Sequence, residues 1–208
     1  MATAEDVLAQ MREHDVVEGA EEARIYFLFA QTHEGKVKAV QKAIDYVCNQ
    51  LETDKSKKQD RDEDDLTLEI CSMLRAAGFR AAHDEHMNGH CDVVIRGKDG
   101  FLWLAEAKKN GAYSWLDKGF QQLTTRYSTG VPGQDHGEVL LYCFAKNSKN
   151  LIDKWREELV ARNPEVSTQA SSCGSPLIFG STHKHEASGL DFYVRHKAVT
   201  LYWDPKDK

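Results

Sequence analysis

Residues 90–110, HCDVVIRGKDGFLWLAEAKKN, set Asp92, Glu106 and Lys108 into two otherwise apolar runs. CDVVI and FLWLAEA are apolar on both alternating faces, which predicts strands covered by helices on both sides, where an ionisable group is costly. The residues between them, Lys98, Asp99 and Gly100, suit a three-residue hairpin loop with its glycine in the last, left-handed position. That loop sets Gly97 opposite Phe101. Counting back along both strands then brings Asp92 opposite Glu106, with Lys108 on the same face. A four-residue loop would instead send the two acids to opposite faces. Carboxylates about 5 Å apart repel unless one takes a proton or a cation sits between them. A hard divalent ion such as Mg2+ resolves the conflict, since it takes oxygen ligands and leaves positions for water and phosphate oxygens. Lys108 would then orient or deprotonate a water, or neutralise charge building on a phosphate. This is the chemistry of phosphodiester hydrolysis.

The elements that must hold these groups follow from the hydropathy pattern. Residues 1–52 are expected to be helical. AEEARIYFLFAQ is a short helix candidate, and in GKVKAVQKAIDYVCNQLE the residues Val37, Val40, Ile44, Val47 and Leu51 recur every three or four positions as one apolar stripe. TDKSKKQDRDEDD has no apolar residue, so residues 53–62 are expected to be a charged linker, with 63–208 as the domain that carries the acids. In DDLTLEICSMLRAAGF, Asp64 and Asp65 suit a helix start and Gly78 a helix stop. Beyond the hairpin, SWLDKGFQQLTTRYSTG reads as a helix, EVLLYCFAK as a strand and LIDKWREELVAR as a helix. PLIFGS and LDFYVRHKAVTLYW read as closing strands.

Asp92, a strand turn and then Glu106-Ala107-Lys108 resemble the active-site signature of the PD-(D/E)XK, or restriction-endonuclease-like, nuclease superfamily. The preceding helix ending in RAAGF and the following FQQLTTRY fit the order of elements in that group, so the resemblance spans roughly residues 63–145. It implies an α/β fold class: a restriction-endonuclease-like core with a mixed central sheet flanked by helices, here with a helical N-terminal extension. It also implies that Asp92 and Glu106 bind the metal and that Lys108 activates water or contacts phosphate. Glu69 corresponds to the additional acid of many members, and it lies beside the apolar stripe of Leu66, Ile70, Met73 and Leu74. Gln121 or Gln122 with Tyr127 is similar to a Gln...Tyr element that supports the site or contacts DNA. Gln122 and Tyr127 are five apart, where the familiar form has four. Cys91 stands where a proline usually precedes the first acid. The implied activity is a Mg2+-dependent nuclease, Mn2+ substituting, with DNA as the favoured substrate, of restriction, repair or anti-phage defence type. Lys109, just after the strand, is a candidate contact to the substrate backbone.

With 27 Lys and Arg against 33 Asp and Glu, a net charge of −6, the chain has no global positive field for nucleic acid, so a polyanion must be met by a local site. The stripe from Val37 to Leu51 is the expected docking surface for a second copy or a partner protein. No apolar run approaches the roughly 20 residues of a membrane helix. The start MATAEDVLAQMREHD lacks the basic end and apolar centre of a signal peptide, so a cytoplasmic protein is expected. Five cysteines without paired spacing suit reduced core thiols. HDEHMNGHC supplies His83, His86, His90 and Cys91 but no second paired ligand element for zinc, and is expected to be a loop near the acids. His183, His185 and His196 fit either a polar hairpin or a substrate surface. The same residues also admit a nuclease-fold subunit with an unused site, which binds nucleic acid or protein, or a phosphohydrolase of small phosphates.

Overall fold

The computed structural model describes residues 3–13 and 18–207; the parts of the helical expectation at 1–2 and 14–17 lie outside them. The described elements run α1 (Ala4–Glu13), α2 (Gly19–Phe29), α3 (His33–Thr53), α4 (Glu63–Ala76), β1 (Arg80–His86), β2 (His90–Arg96) and β3 (Leu102–Lys109). Then come α5 (Tyr113–Gln121), which continues as a π-helical turn (Gln122–Tyr127), β4 (His136–Cys143), α6 (Ser148–Arg162), β5 (Ser167–Ala170), β6 (Ile178–Lys184) and β7 (Asp191–Thr200). The strands form one seven-stranded sheet in the order β1-β2-β3-β4-β7-β6-β5. β4 is parallel to both β3 and β7, and the outer pairs are antiparallel. The molecule is therefore α/β with a mixed sheet flanked by helices.

The hairpin that carries the acids has the expected register. The Gly97 N–H donates to the Phe101 carbonyl at 2.9 Å, and Val93 pairs with Ala105. Its turn is tighter than expected. Phe101 N donates to Lys98 O, and Asp99 and Gly100 between them both have positive φ, 59° and 74°, the combination that Asp-Gly pairs favour.

Each sheet face has its own core. On one face, α2, α3 and α4 pack over Val93, Ile95, Trp103, Ala105, Ala107, Tyr142 and Val199. On the other, α5 and α6 pack over Val94, Leu102, Leu104, Val139 and Leu141. β3 is buried along nearly all of its length, as a strand covered on both sides must be.

One expectation about the N-terminal half needs correction. Val37, Val40, Ile44, Val47 and Leu51 are at most 3% exposed and belong to the same core as the sheet, so the stripe faces inward and is not a docking surface. Residues 53–62 are mostly exposed, and the elements before and after them contribute to one core cluster. Their charges have local work. Asp62 caps α4, accepting from Asp65 N–H at 2.8 Å, and Lys58 is 7% exposed.

HDEHMNGHC is not a loop: it forms the end of the β1–β2 hairpin. The sequence reading missed β1, and also the short edge strand β5, because neither carries an apolar alternation. In that hairpin His90 pairs with Asp84 at 2.9 Å, while Cys91 points into the core. Cys48, Cys71 and Cys143 are likewise buried, and Cys173 is exposed; all five thiols are free. Among the described residues no helix is long and apolar enough to cross a membrane.

His196 is a core group and not part of a substrate surface. It is fully buried, takes a hydrogen bond from Trp155 Nε1 at 3.1 Å, and has its Nε2 2.8 Å from Ser181 Oγ. Burial, helped by His183, pulls its pKa from 6.5 to about 3. The folded ring thus stays neutral where the unfolded one takes a proton. Its stabilising contribution is complete above pH 6.5 and is lost as pH falls toward 3, amounting to about 3 kcal/mol by pH 4. His196→Gln should therefore flatten the acid limb of stability against pH in urea titrations between pH 6.5 and 4; an unchanged slope would show that other groups set it.

Candidate active site

Alternation along β3 sends Trp103, Ala105 and Ala107 toward α3 and α4, and Glu106 and Lys108 toward α5. Asp92, on β2, joins them by accepting the Ala107 N–H at 2.7 Å. Lys108 Nζ lies 2.8 Å from Glu106 Oε1, 3.1 Å from Glu63 Oε1 and 3.8 Å from Asp92 Oδ2, and donates to the Ala107 carbonyl at 2.9 Å. Three carboxylates thus share one ammonium at the carboxyl end of β3. The Lys108 and Glu106 side chains are 5% and 2% exposed, and those of Asp92 and Glu63 are 18% and 24%. The group is half sealed and opens on its Asp92–Glu63 side.

Burial raises the carboxyl of Glu106 to about 7, with repulsion from Asp92 adding to it and Lys108 opposing. Burial also raises Asp92, against the pull of Lys108 and of the Ala107 N–H. For Lys108, burial works to lower the pKa, but Glu106, Asp92 and Glu63 outweigh it and hold the ammonium charged. Glu106 Oε2 is buried and has no hydrogen-bond partner. A buried acceptor left open beside two further carboxylates is a costly arrangement for a purely structural site.

Of the residues expected at the site, Asp92, Glu106 and Lys108 come together, and Glu69 does not join them. Glu69 Oε1 accepts from Lys58 Nζ at 2.6 Å. The helix acid that reaches Lys108 is Glu63, six residues earlier at the first position of α4. Its other oxygen accepts the Lys109 N–H at 2.6 Å, which clamps the helix start to the strand end. In the sequence Glu63 is hidden in the acidic run DRDEDD, where the cap at Asp62 is the one sign that a helix begins beside it. Lys109 is also turned to internal use, with its Nζ donating to the Arg61 carbonyl and lying over the Phe144 ring.

Gln121 binds Asn163 at 2.6 Å and so ties α5 to α6. Gln122 Nε2 donates to Tyr127 Oη at 3.1 Å across the π-helical turn. A π turn is one residue longer than an α turn, so a spacing of five brings these side chains onto the same side. Tyr127 is 1% exposed, and Glu106 and Asp92 help burial to raise its pKa. Two residues the sequence reading passed over complete the surroundings. Gly119 of α5 packs on Lys108 and Glu106 so closely that a Cβ there would meet Lys108 Cγ at 3.0 Å. Trp115, 43% exposed, has Lys108 and Lys118 near its ring, at 5.3 and 5.1 Å.

Compared with protein-family models, curated proteins and solved structures, the chain finds no match.

Proposed function

We propose that the protein is a metal-dependent nuclease with a restriction-endonuclease-like core, DNA being its favoured substrate. The observation that carries this reading is the convergence of Asp92, Glu106 and Glu63 on one buried ammonium, with Glu106 Oε2 left without a partner. The donor set is all oxygen and includes that open acceptor, which fits a hard ion such as Mg2+, or Mn2+ in its stead. Asp92 and Glu106 would hold it, while Glu63, and not Glu69, is the helix acid that pairs with Lys108. The bound ion supplies Lewis acidity toward a phosphate oxygen.

The chain's own groups do the rest. Lys108, held charged by its neighbours, neutralises negative charge that develops on the phosphate, which is a better use of an ammonium among carboxylates than removing a proton. Gly119 leaves room for the lysine stem, and the Gln122–Tyr127 pair braces the π turn behind the acids. Trp115 with Lys118 offers an aromatic face and a cation at the rim, a combination suited to a stacked base next to a phosphate. The position at the carboxyl end of a parallel strand pair is where open α/β sheets commonly bind ligands.

The test is incubation of the protein with plasmid, single-stranded DNA, RNA and nucleotides, with and without Mg2+ or Mn2+. Cleavage of plasmid or single-stranded DNA that needs the ion is expected. Hydrolysis of nucleotides alone would replace the reading with a small-phosphate hydrolase, and no hydrolysis at all with a binding subunit. Gly119→Ala gives a finer check. Alanine favours a helix over glycine by up to about 1 kcal/mol, yet its Cβ would press on Lys108. The melting temperature should move by a few degrees at most while the cleavage rate falls tenfold or more, as melting curves and initial rates on one preparation would reveal.

A further inference from the structure

A cavity of about 620 Å3 does not adjoin the acids around Lys108; it opens at the other end of the sheet, and its wall includes His33, Glu34, Asp135, His136, Tyr193 and Arg195. Lys108 pairs with Leu141, and His136 lies five residues back along β4, so the two places are about 17 Å apart. At the cavity edge three ligand atoms converge. His33 Nε2 and His136 Nδ1 each lie 2.7 Å from Asp135 Oδ1 and 3.3 Å from each other. Among the described residues this is the one group of three with metal-ligand spacing.

From this convergence we propose that His33, Asp135 and His136 bind a borderline transition-metal ion, zinc being the expected one, with a remaining coordination position open to the cavity. The donor set decides the class of ion. Two imidazoles and one carboxylate suit zinc and its neighbours, whereas Mg2+ prefers oxygen alone. In a tetrahedral site with bonds of about 2.0–2.1 Å, donors stand about 3.3 Å apart. The nitrogen pair already has that spacing, and the two shorter edges need to open by about 0.6 Å, within reach of side-chain rotation. Three protein ligands and one open position is the pattern of an accessible zinc site as opposed to a closed structural one.

Both rings are held in position before any ion arrives. His136 stacks on Tyr193 with centroids 4.8 Å apart, and His33 leans on Phe101 at 5.3 Å. All three side chains are partly buried, between 21% and 25% exposed, so they are reachable yet shielded from most of the solvent. The charge balance is also suitable: Asp135 contributes one negative charge, and Glu34 stands near enough to His136 to act on it. The consequence for the fold is mechanical. His33 is the first residue of α3 and His136 the first of β4, so the ion would staple the helical cover to the sheet across 103 positions of sequence. This site stands independently of the nuclease reading, because it shares no residue with the Lys108 group.

The experiment is isothermal titration of the full chain with ZnSO4, paired with melting curves and with the visible spectrum of the Co2+-loaded protein. Wild type should bind one zinc per chain with a Kd of micromolar or tighter and melt at higher temperature when loaded. His33→Gln, Asp135→Asn and His136→Gln should each weaken binding at least tenfold. Asp92→Asn should leave this zinc affinity unchanged, which separates the site from the acids around Lys108. Equal zinc affinity in wild type and in the folded His33→Gln/His136→Gln double variant would overturn the proposal, as would no binding at 100-fold molar excess. Should the variants fail to fold, X-ray absorption of the zinc-loaded wild type decides: two imidazoles in the coordination shell support the site, and none refutes it.

Discussion

Lys108→Met should slow Mg2+-dependent DNA cleavage a hundredfold to a thousandfold, the loss expected when a charged donor aimed at developing phosphate charge is removed. The same variant should show why the lysine is buried. In the wild type its ammonium is the cation that three carboxylates share. Without it Glu106, 2% exposed, has neither of its oxygens paired, and breaking a buried ion pair in this way costs about 3–5 kcal/mol. Mg2+ should recover part of that loss, by about 2.7 kcal/mol at a hundred times its Kd, because the ion can take over the charge that the lysine carried. The wild type, in which the Lys108 ammonium already offsets part of that charge, should gain less. Urea titrations of both proteins with and without 10 mM MgCl2 measure the difference. Cleavage at the wild-type rate by Lys108→Met would remove the lysine from the mechanism. An equal response of both folds to Mg2+, persisting in Asp92→Asn, would remove the ion from this group.

The second large effect concerns the N-terminal helices. Ile44→Asp should unfold the whole chain, including the sheet, whose first strand begins 36 residues further on. Ile44 is fully buried in the core that α3 shares with Val93, Trp103 and Tyr142, and an unpaired carboxylate there exceeds the 4–5 kcal/mol beyond which single substitutions are exceptional. All four tryptophans, Trp103, Trp115, Trp155 and Trp203, lie beyond residue 100; Trp103 shares the core of Ile44, whereas Trp155 is fully buried in the core of the opposite sheet face, so their fluorescence reports on both faces of the sheet. In Ile44→Asp that signal should already be the unfolded one in dilute buffer. Lys38→Ala, at a side chain 69% exposed on the same helix, should shift the transition by no more than about 0.5 kcal/mol. A normal tryptophan transition in Ile44→Asp would mean that residues 1–52 fold apart from the rest.

The sequence by itself determined what depends on neighbours along the chain. The period of three and four in Val37 to Leu51 is enough for a helix, and the doubly apolar β2 and β3 are enough for covered strands. Lys98-Asp99-Gly100 is enough for the register that brings Asp92, Glu106 and Lys108 to one place, since a turn fixes every pair that follows it. Tertiary structure decided what depends on which faces meet. Glu63 and Glu69 are both acids on α4, and only the docking of the helix start against the end of β3 chooses Glu63. The apolar stripe of α3 had to be buried, but whether by a partner or by this sheet is not a property of the stripe. His33, Asp135 and His136 give no local signal, because the pairing of β4 with β3 and the packing of α3 on the sheet bring them together from across the chain. Period and turn chemistry act over a few residues, whereas a site made by packing exists only once the apolar faces have found each other.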